Sequence, residues 1–181
     1  NAKFKMKNVK LLELKKILGE RVKENEPLAP YTTFKIGGPA DLFFEAKTSE
    51  DLQKAIVAAR KLDISVWVFG GGSNVLIGDK GVRGLVIKNA TIKIILRGAK
   101  GKLSAGKTQG LVYVEVDSGV IFNQLVRFTI EEGLSGLEIH LGLPGTVGGA
   151  IYMNSKWAKT ESSVGDVVYQ ATIITPQGEI K

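Results

Sequence analysis

The sequence contains no cysteine and only one histidine among its 181 residues. The absence of cysteine excludes disulfides, thiolate nucleophiles, iron–sulfur clusters and Cys-based zinc sites. The histidine, His140, has no metal-ligand partner near it in the sequence, so we predict a structural or surface role for it and no metal site. Any redox chemistry of this protein therefore requires a cofactor.

Long hydrophobic runs are also missing. No stretch of about eighteen apolar residues could span a bilayer, and the Lys-rich start lacks the apolar region and cleavage site of a secretory signal. Hydrophobic residues make up 44% of the chain and charged residues 24%, which is typical of a globular protein with a real core. We therefore expect a cytoplasmic protein without a membrane partner.

Acidic residues are too few to balance the lysines and arginines, which leaves a net charge of +7. The excess is concentrated in residues 1–23 and 88–107. Neither segment interleaves aromatic residues for base stacking or carries a nucleic-acid-binding signature. We expect solvated faces and no nucleic-acid partner, although an anionic small ligand would also be favoured by this charge.

The first part of the chain predicts a helix and then an α/β lobe. Residues 1–24 lack an initiator Met, begin like a tag remnant and continue as an amphipathic helix. Residues 25–83 predict a β-α-β unit with a parallel strand pair, formed by Leu42–Ala46 and Ser65–Phe69. Thr48 and Asp51 resemble a capping box before the intervening helix, and Trp67 is expected in the core.

Residues 84–181 predict a second, more antiparallel α+β lobe. In the middle of this lobe, a stripe of apolar residues at helical spacing predicts a helix that ends at Gly133. Residues 155–166 read as an exposed loop. The predicted strands are Gly84–Lys88, Thr91–Arg97, Leu111–Val116 and Val167–Ile174, and the stripe comprises Phe122, Leu125, Val126, Thr129 and Ile130. A β-turn at 175–178 leads into a return strand that has only begun at Lys181, so we expect a truncated chain that lacks a substrate-binding domain.

Three consecutive glycines directly after the second predicted strand give the strongest site signal. Their backbone can approach a ligand closely, and successive N–H groups can form an anion nest suited to a pyrophosphate. The segment is neither a P-loop nor a Rossmann fingerprint, because no Gly-Lys-Ser/Thr follows and Val75 replaces the third required glycine. The candidate cofactor-binding residues here are Gly70, Gly71, Gly72, Ser73, Asn74 and Val75.

A second glycine-rich segment occupies residues 142–150. It combines a tight turn, a hydroxyl group and a glycine pair that could expose the backbone to a flat ring or a phosphate. The candidate residues are Pro144, Gly145, Thr146, Gly148, Gly149 and Ala150. Two such loops on different lobes predict an extended ligand, such as a dinucleotide in a cleft. The alternative is that both segments merely turn the chain.

Taken together, these motifs resemble the UDP-N-acetylenolpyruvoylglucosamine reductase family. The matching segments occur in the family's order and spacing, and they are Thr32–Asp41, Gly70–Asn74, Gly133–Glu138 and Pro144–Ala150. The resemblance implies an α+β, two-lobed FAD-binding domain of the vanillyl-alcohol-oxidase and para-cresol-methylhydroxylase type. It also implies that the first glycine segment binds the FAD pyrophosphate and that the second runs along the cofactor toward the flavin.

The resemblance further implies the activity of the full-length protein in peptidoglycan synthesis. NADPH would reduce FAD, and the flavin would reduce the enolpyruvyl ether of a UDP-sugar to UDP-N-acetylmuramate. The family's catalytic serine, arginine and glutamate would follow Lys181, so we assign no catalytic residue here and expect the chain alone to be inactive. Residues 155–160, His140 and Leu141 depart from the family pattern, which makes the loop near the flavin a divergent one.

Two alternatives stay open at this point. One is another flavin oxidase or dehydrogenase of the same fold, because the substrate domain decides the chemistry in this architecture. The other is a non-enzymatic nucleotide-binding module, which would not be yellow. The sequence leaves the oligomeric state open.

Overall fold

In the computed structural model the described residues are 2–98, 112–156 and 161–181, with side chains described from residue 9 onward. The first lobe consists of α1 (Ala2–Leu18), β1 (Lys23–Pro27), β2 (Pro39–Ala46), α2 (Ser49–Lys61), β3 (Val66–Phe69) and β4 (Val82–Asn89). The second lobe contains β5 (Ile94–Arg97), β6 (Tyr113–Val116), α3 (Phe122–Glu131) and α4 (Val147–Tyr152). Short 3₁₀ turns occur at Ala29–Tyr31, Glu138–His140 and Val164–Val167.

The first lobe is built on a four-stranded sheet in the order β1-β2-β4-β3. β2 and β3 both run parallel to β4, and β1 is an antiparallel edge strand. The predicted β-α-β unit is present, but the expected direct pairing of its two strands is wrong because β4 lies between them.

The assignment of Gly84–Lys88 to an antiparallel second lobe is also wrong, since these residues form the middle of β4. Leu85, Val86 and Ile87 are all buried, as expected for a central strand that is covered on both faces. A strand's pairing partners are set by distant parts of the chain, so the local sequence did not reveal this position. We propose that the first lobe extends to Asn89.

Two helices cover one face of this sheet. The Thr48 hydroxyl accepts a hydrogen bond from the Asp51 N–H at 3.1 Å, so the predicted cap at the start of α2 is confirmed. The buried residues of this layer are Leu14, Leu18, Val22, Leu42, Phe44, Ala46, Ala55, Ala58, Ala59, Leu85 and Ile87. Leu28, Ala40, Phe43 and Val86 form a smaller cluster on the opposite face. The core position predicted for Trp67 is wrong, because it lies on the edge strand β3 and is 60% exposed.

The second lobe contains two of its predicted strands and its predicted helix. β5 and β6 pair in antiparallel fashion, and α3 buries Phe122, Leu125, Val126 and Thr129. Ile130, which we placed in the same stripe, is exposed. It lies eight residues after Phe122, about 80° away around the helix, and therefore at the border of the buried face.

The end of the chain differs from the prediction. Val167–Ile174 is not a strand, because the described part of this region has only the single bridge between Ile174 and Ile180 and no neighbouring strand to form a ladder. The predicted turn is confirmed, since the Gly178 N–H donates to the Thr175 carbonyl at 2.8 Å. The predicted exposed loop 155–166 contains a buried residue, Val164. Trp157 and the rest of 157–160 lie outside the described residues.

Among the described residues, no helix has the length and apolar character needed to cross a bilayer.

Candidate functional site

The first glycine segment lies at the carboxyl edge of the parallel strands. β2, β3 and β4 end at Ala46, Phe69 and Asn89, and Gly70 follows β3 directly. The chain also leaves this edge after Asn89 to enter the second lobe. Ligands of open α/β sheets bind in the crevice outside the carboxyl ends of the strands. The predicted site is therefore at an edge that the fold favours for binding.

The two glycine segments, far apart in the sequence, touch each other. A Cβ atom added to Gly71 would lie 3.0 Å from the Gly145 Cα, and one added to Gly145 would lie 2.6 Å from the Ser73 Oγ. A Cβ at Gly70 would come within 2.1 Å of the Thr146 Oγ1. The glycines thus allow the two backbones to pack closely, which the sequence reasoning had not foreseen.

Three N–H groups of the first segment have no acceptor in the described part of the chain. Gly71 and Asn74 are exposed and Ser73 is half-buried. Within the described residues, the N–H groups of these three residues donate to no backbone or side-chain acceptor. Neighbouring carbonyls are engaged, because the Lys88 ammonium donates to the Gly70 oxygen and the Thr33 N–H donates to the Gly72 oxygen at 3.0 Å. The segment presents donors but few acceptors, which suits an anion.

The second glycine segment is packed more tightly inside the protein than the first. Thr146 and Ala150 are buried, and the Gly148 N–H donates to the Ser118 carbonyl at 2.8 Å. Gly148 and Gly149 lie in the first turn of α4 rather than in an open loop. Pro144 and Gly149 are exposed, and Gly145 has the left-handed φ of 103° that favours glycine. Half-buried Gly145 and buried Thr146 are the residues of this segment that border the first glycine segment.

A buried polar network, which the sequence analysis missed, links the two lobes beneath these loops. Asn89 donates from Nδ2 to the Ser118 Oγ at 2.7 Å and accepts from the Thr91 hydroxyl at 2.9 Å. The Thr91 Oγ1 in turn accepts from the Gly119 N–H at 3.0 Å. Because Ser118 also receives the Gly148 N–H, the end of β4 supports the start of α4. The available signal was an asparagine two residues after the apolar run Leu85, Val86 and Ile87.

Lys88 is a second residue to which the sequence analysis gave no site role, since it noted Lys88 only as the end of a predicted strand and as part of a basic cluster. It lies on β4, with its ammonium group 5.6 Å from the centre of the Phe69 ring and hydrogen-bonded to the Gly70 carbonyl. Burial lowers the pKa of Lys88 from its usual value, and nearby Glu45 counteracts this effect. The structure therefore places a half-buried cation directly behind the first glycine segment.

His140 is fully buried, so the structural role predicted for it applies and the surface alternative does not. Its ring packs edge-on against Phe122 at a centroid distance of 6.5 Å, and neither ring nitrogen has a hydrogen-bond partner among the residues that the structure describes. No group of three or more His, Asp or Glu side chains in the described ranges could hold a metal ion.

Comparison with known proteins places this geometry in context. The FAD binding domain family matches residues 40–181. The UDP-N-acetylenolpyruvoylglucosamine reductase of Carboxydothermus hydrogenoformans is 39% identical over 169 residues, which cover 93% of this chain and 52% of that protein. The chain spans about half the length of the curated relatives it matches, or less.

Two solved structures are similar to the chain. The UDP-N-acetylenolpyruvylglucosamine reductase of Thermus caldophilus matches with a TM-score of 0.52 at 30% identity, covering 76% of this chain and 42% of that one. A p-cresol methylhydroxylase matches with a TM-score of 0.60 at 19% identity, covering 97% of this chain and 35% of that one. The predicted two-lobed fold and the predicted family resemblance are both confirmed. The chain belongs to the FAD binding domain family.

Proposed function

We propose that the edge where the two glycine segments meet binds FAD, with the pyrophosphate on the first segment and the rest of the cofactor along the second toward the flavin. The observation that carries this proposal is the set of N–H groups at Gly71, Ser73 and Asn74, which have no acceptor among the described residues. Backbone donors at the carboxyl edge of a parallel sheet suit a phosphate ligand. The chain's membership of the FAD binding domain family supports FAD as that ligand.

We further propose that the full-length protein is an NADPH-dependent reductase that converts UDP-N-acetylglucosamine enolpyruvate to UDP-N-acetylmuramate for peptidoglycan synthesis. The names of the relatives support this activity. Bound FAD would supply the hydride transfer, while the residues of this chain would bind and orient the cofactor. The chain alone is expected to be inactive. The cytoplasmic location, and the absence of membrane and nucleic-acid partners, stay predictions from the sequence.

A second candidate is another flavin oxidase or dehydrogenase of the same architecture, favoured by the structural similarity to p-cresol methylhydroxylase. An anaerobic experiment on the full-length protein distinguishes the two. We expect NADPH to bleach the flavin absorbance and the enolpyruvyl UDP-sugar to restore it. Flavin that is reduced by a phenol or an alcohol, and not by NADPH, would favour the second candidate instead. Steady NADPH oxidation by the chain alone, stimulated by the UDP-sugar, would contradict its predicted inactivity.

A further inference from the structure

We propose that Lys88 is a positioning residue that holds the first glycine segment with its N–H groups directed at the FAD pyrophosphate. This inference rests on the proposed FAD site and adds a residue outside both glycine segments. The Lys88 side chain extends from β4 to the Gly70 carbonyl, so it acts through the loop and not by contact with the cofactor.

The direction of the N–H groups follows from the planarity of the peptide bond. In a trans peptide the carbonyl of one residue and the N–H of the next point in opposite directions. Because the Gly70 carbonyl is drawn toward Lys88, the Gly71 N–H points away from β4. The Gly72 carbonyl is likewise held by the Thr33 N–H, so the Ser73 N–H points away from that segment. Two anchored carbonyls thus direct two alternate N–H groups outward.

The loop needs such anchors because three consecutive glycines are conformationally permissive. A loop that must be ordered when the ligand binds loses affinity, whereas a loop held in advance keeps it. At Gly72 the backbone is already pressed against its neighbour, since a Cβ there would lie 2.1 Å from the Tyr31 oxygen. Gly70 is also close to a neighbour, since a Cβ there would lie 2.1 Å from the Thr146 Oγ1. The hydrogen bond that fixes the Gly70 carbonyl comes from the Lys88 ammonium.

The charge of Lys88 adds a second effect. Its ammonium lies behind the loop and the outward N–H groups lie in front of it, so an anion bound in front would be attracted through a partly desolvated region. The opposite charge of nearby Glu45 reduces this attraction. It leaves the hydrogen bond from Lys88 to the Gly70 carbonyl in place. Attraction across such a region is screened by salt less than a surface pair is, but it still makes binding dependent on ionic strength.

The test compares FAD binding by the wild-type chain with that of Lys88→Met, Lys88→Arg and Lys80→Met. Methionine keeps an apolar stem over Phe69 and removes the ammonium, and exposed Lys80 provides a matched charge loss elsewhere. The dissociation constant is measured by flavin fluorescence at several salt concentrations. We expect Lys88→Met to weaken binding about ten- to hundredfold, with a shallower salt dependence. Lys88→Arg and Lys80→Met should stay within about threefold of wild type.

The outcomes of this test distinguish a failure of the role of Lys88 from a failure of the FAD site itself. If wild type binds FAD and Lys88→Met has the same affinity and salt dependence, the role of Lys88 is refuted and the FAD site stands. The role of Lys88 is also refuted if Lys88→Met lowers the melting temperature but leaves the salt dependence of FAD binding unchanged. That result would indicate a merely structural role. If Lys88→Met does not fold, Lys88→Gln takes its place in the comparison. A folded wild-type chain that does not bind FAD would refute the site itself, and the role of Lys88 with it.

Discussion

Gly72→Ala tests whether the first glycine segment is shaped by its contact with the Tyr31–Thr33 backbone. Gly72 has φ of 65°, and an added Cβ would lie 2.1 Å from the Tyr31 oxygen and 3.0 Å from the Thr32 Cα. The left-handed backbone costs an alanine about 1 kcal/mol. Forcing the overlapping backbone apart adds about 1–3 kcal/mol, because carbonyl and Cα atoms cannot rotate away as a side chain can. The expected loss of unfolding free energy is about 2–4 kcal/mol.

Two other glycines separate these contributions. Gly19 has φ of 77° with nothing within 4 Å of an added Cβ, so Gly19→Ala should show only the backbone cost of about 1 kcal/mol. Gly78 has neither a left-handed φ nor a nearby atom, so Gly78→Ala should be neutral or stabilising by about 0.5 kcal/mol.

The measurement is urea unfolding of the three variants and the wild type, followed by circular dichroism. For a chain of this size the Gly72→Ala loss corresponds to a fall of roughly 4–16 °C in melting temperature. Equal stabilities of Gly72→Ala and Gly19→Ala would show that the Tyr31 contact does not constrain the loop. Equal stabilities of Gly72→Ala and Gly78→Ala would refute the reasoning entirely.

Three further predictions concern residues outside the glycine segments. The bidentate hydrogen bonds from Arg21 hold the pKa of Asp51 at about 2, below its unfolded value of about 3.9. Because the folded pKa is the lower one, these hydrogen bonds stabilise the fold fully above about pH 4, and the stabilisation is lost as the pH falls through 2. Asp51→Asn should therefore cost about 1 kcal/mol in urea unfolding at pH 7 and clearly less near pH 2, where about half of the Asp51 carboxylates are protonated, and an equal loss at both values would contradict this cause. Asn89→Ala should cost about 2–3 kcal/mol by the same assay, because it leaves the buried Thr91 without its acceptor, and a neutral result would show that the network is dispensable. His140→Leu should leave stability unchanged or raise it by about 1 kcal/mol, since it removes two unpaired buried nitrogens; a clear loss on thermal unfolding would point to a hidden partner.

Features with a local signal could be predicted from the sequence. The cap at Thr48, the stripe of α3 and the β-turn at 175–178 each depend on residues a few positions apart, and all three are present. The order of strands has no such signal. Gly84–Lys88 reads like any short β-rich segment, and its central place in the sheet depends on pairing with β2 and β3. The exposure of Trp67 follows from the same unpredicted strand order, because β3 lies at the edge of the sheet.

The candidate site shows the same division. Each glycine segment could be recognised individually, because consecutive glycines allow a close approach of the backbone that other residues do not. Their mutual contact could not, since it depends on how the lobes pack. The importance of Lys88 and Asn89 was equally hidden, because a lysine and an asparagine at the end of a strand are ordinary residues until their partners, Gly70 and Ser118, are known.

The most direct test of the proposed site is the retention of FAD by the wild-type chain, Gly71→Asp and Gly78→Asp after incubation and desalting. Gly71→Asp adds a carboxylate at the first glycine segment, with its Cβ 3.0 Å from the Gly145 Cα, whereas Gly78→Asp adds the same charge in open space. Visible absorbance gives the flavin bound per chain, and circular dichroism checks the fold. We expect about one FAD in the wild type and in Gly78→Asp, and none in a folded Gly71→Asp. A Gly71→Asp chain that retains FAD as the wild type does, or a folded wild type that retains none, would contradict the proposal that this segment binds the pyrophosphate.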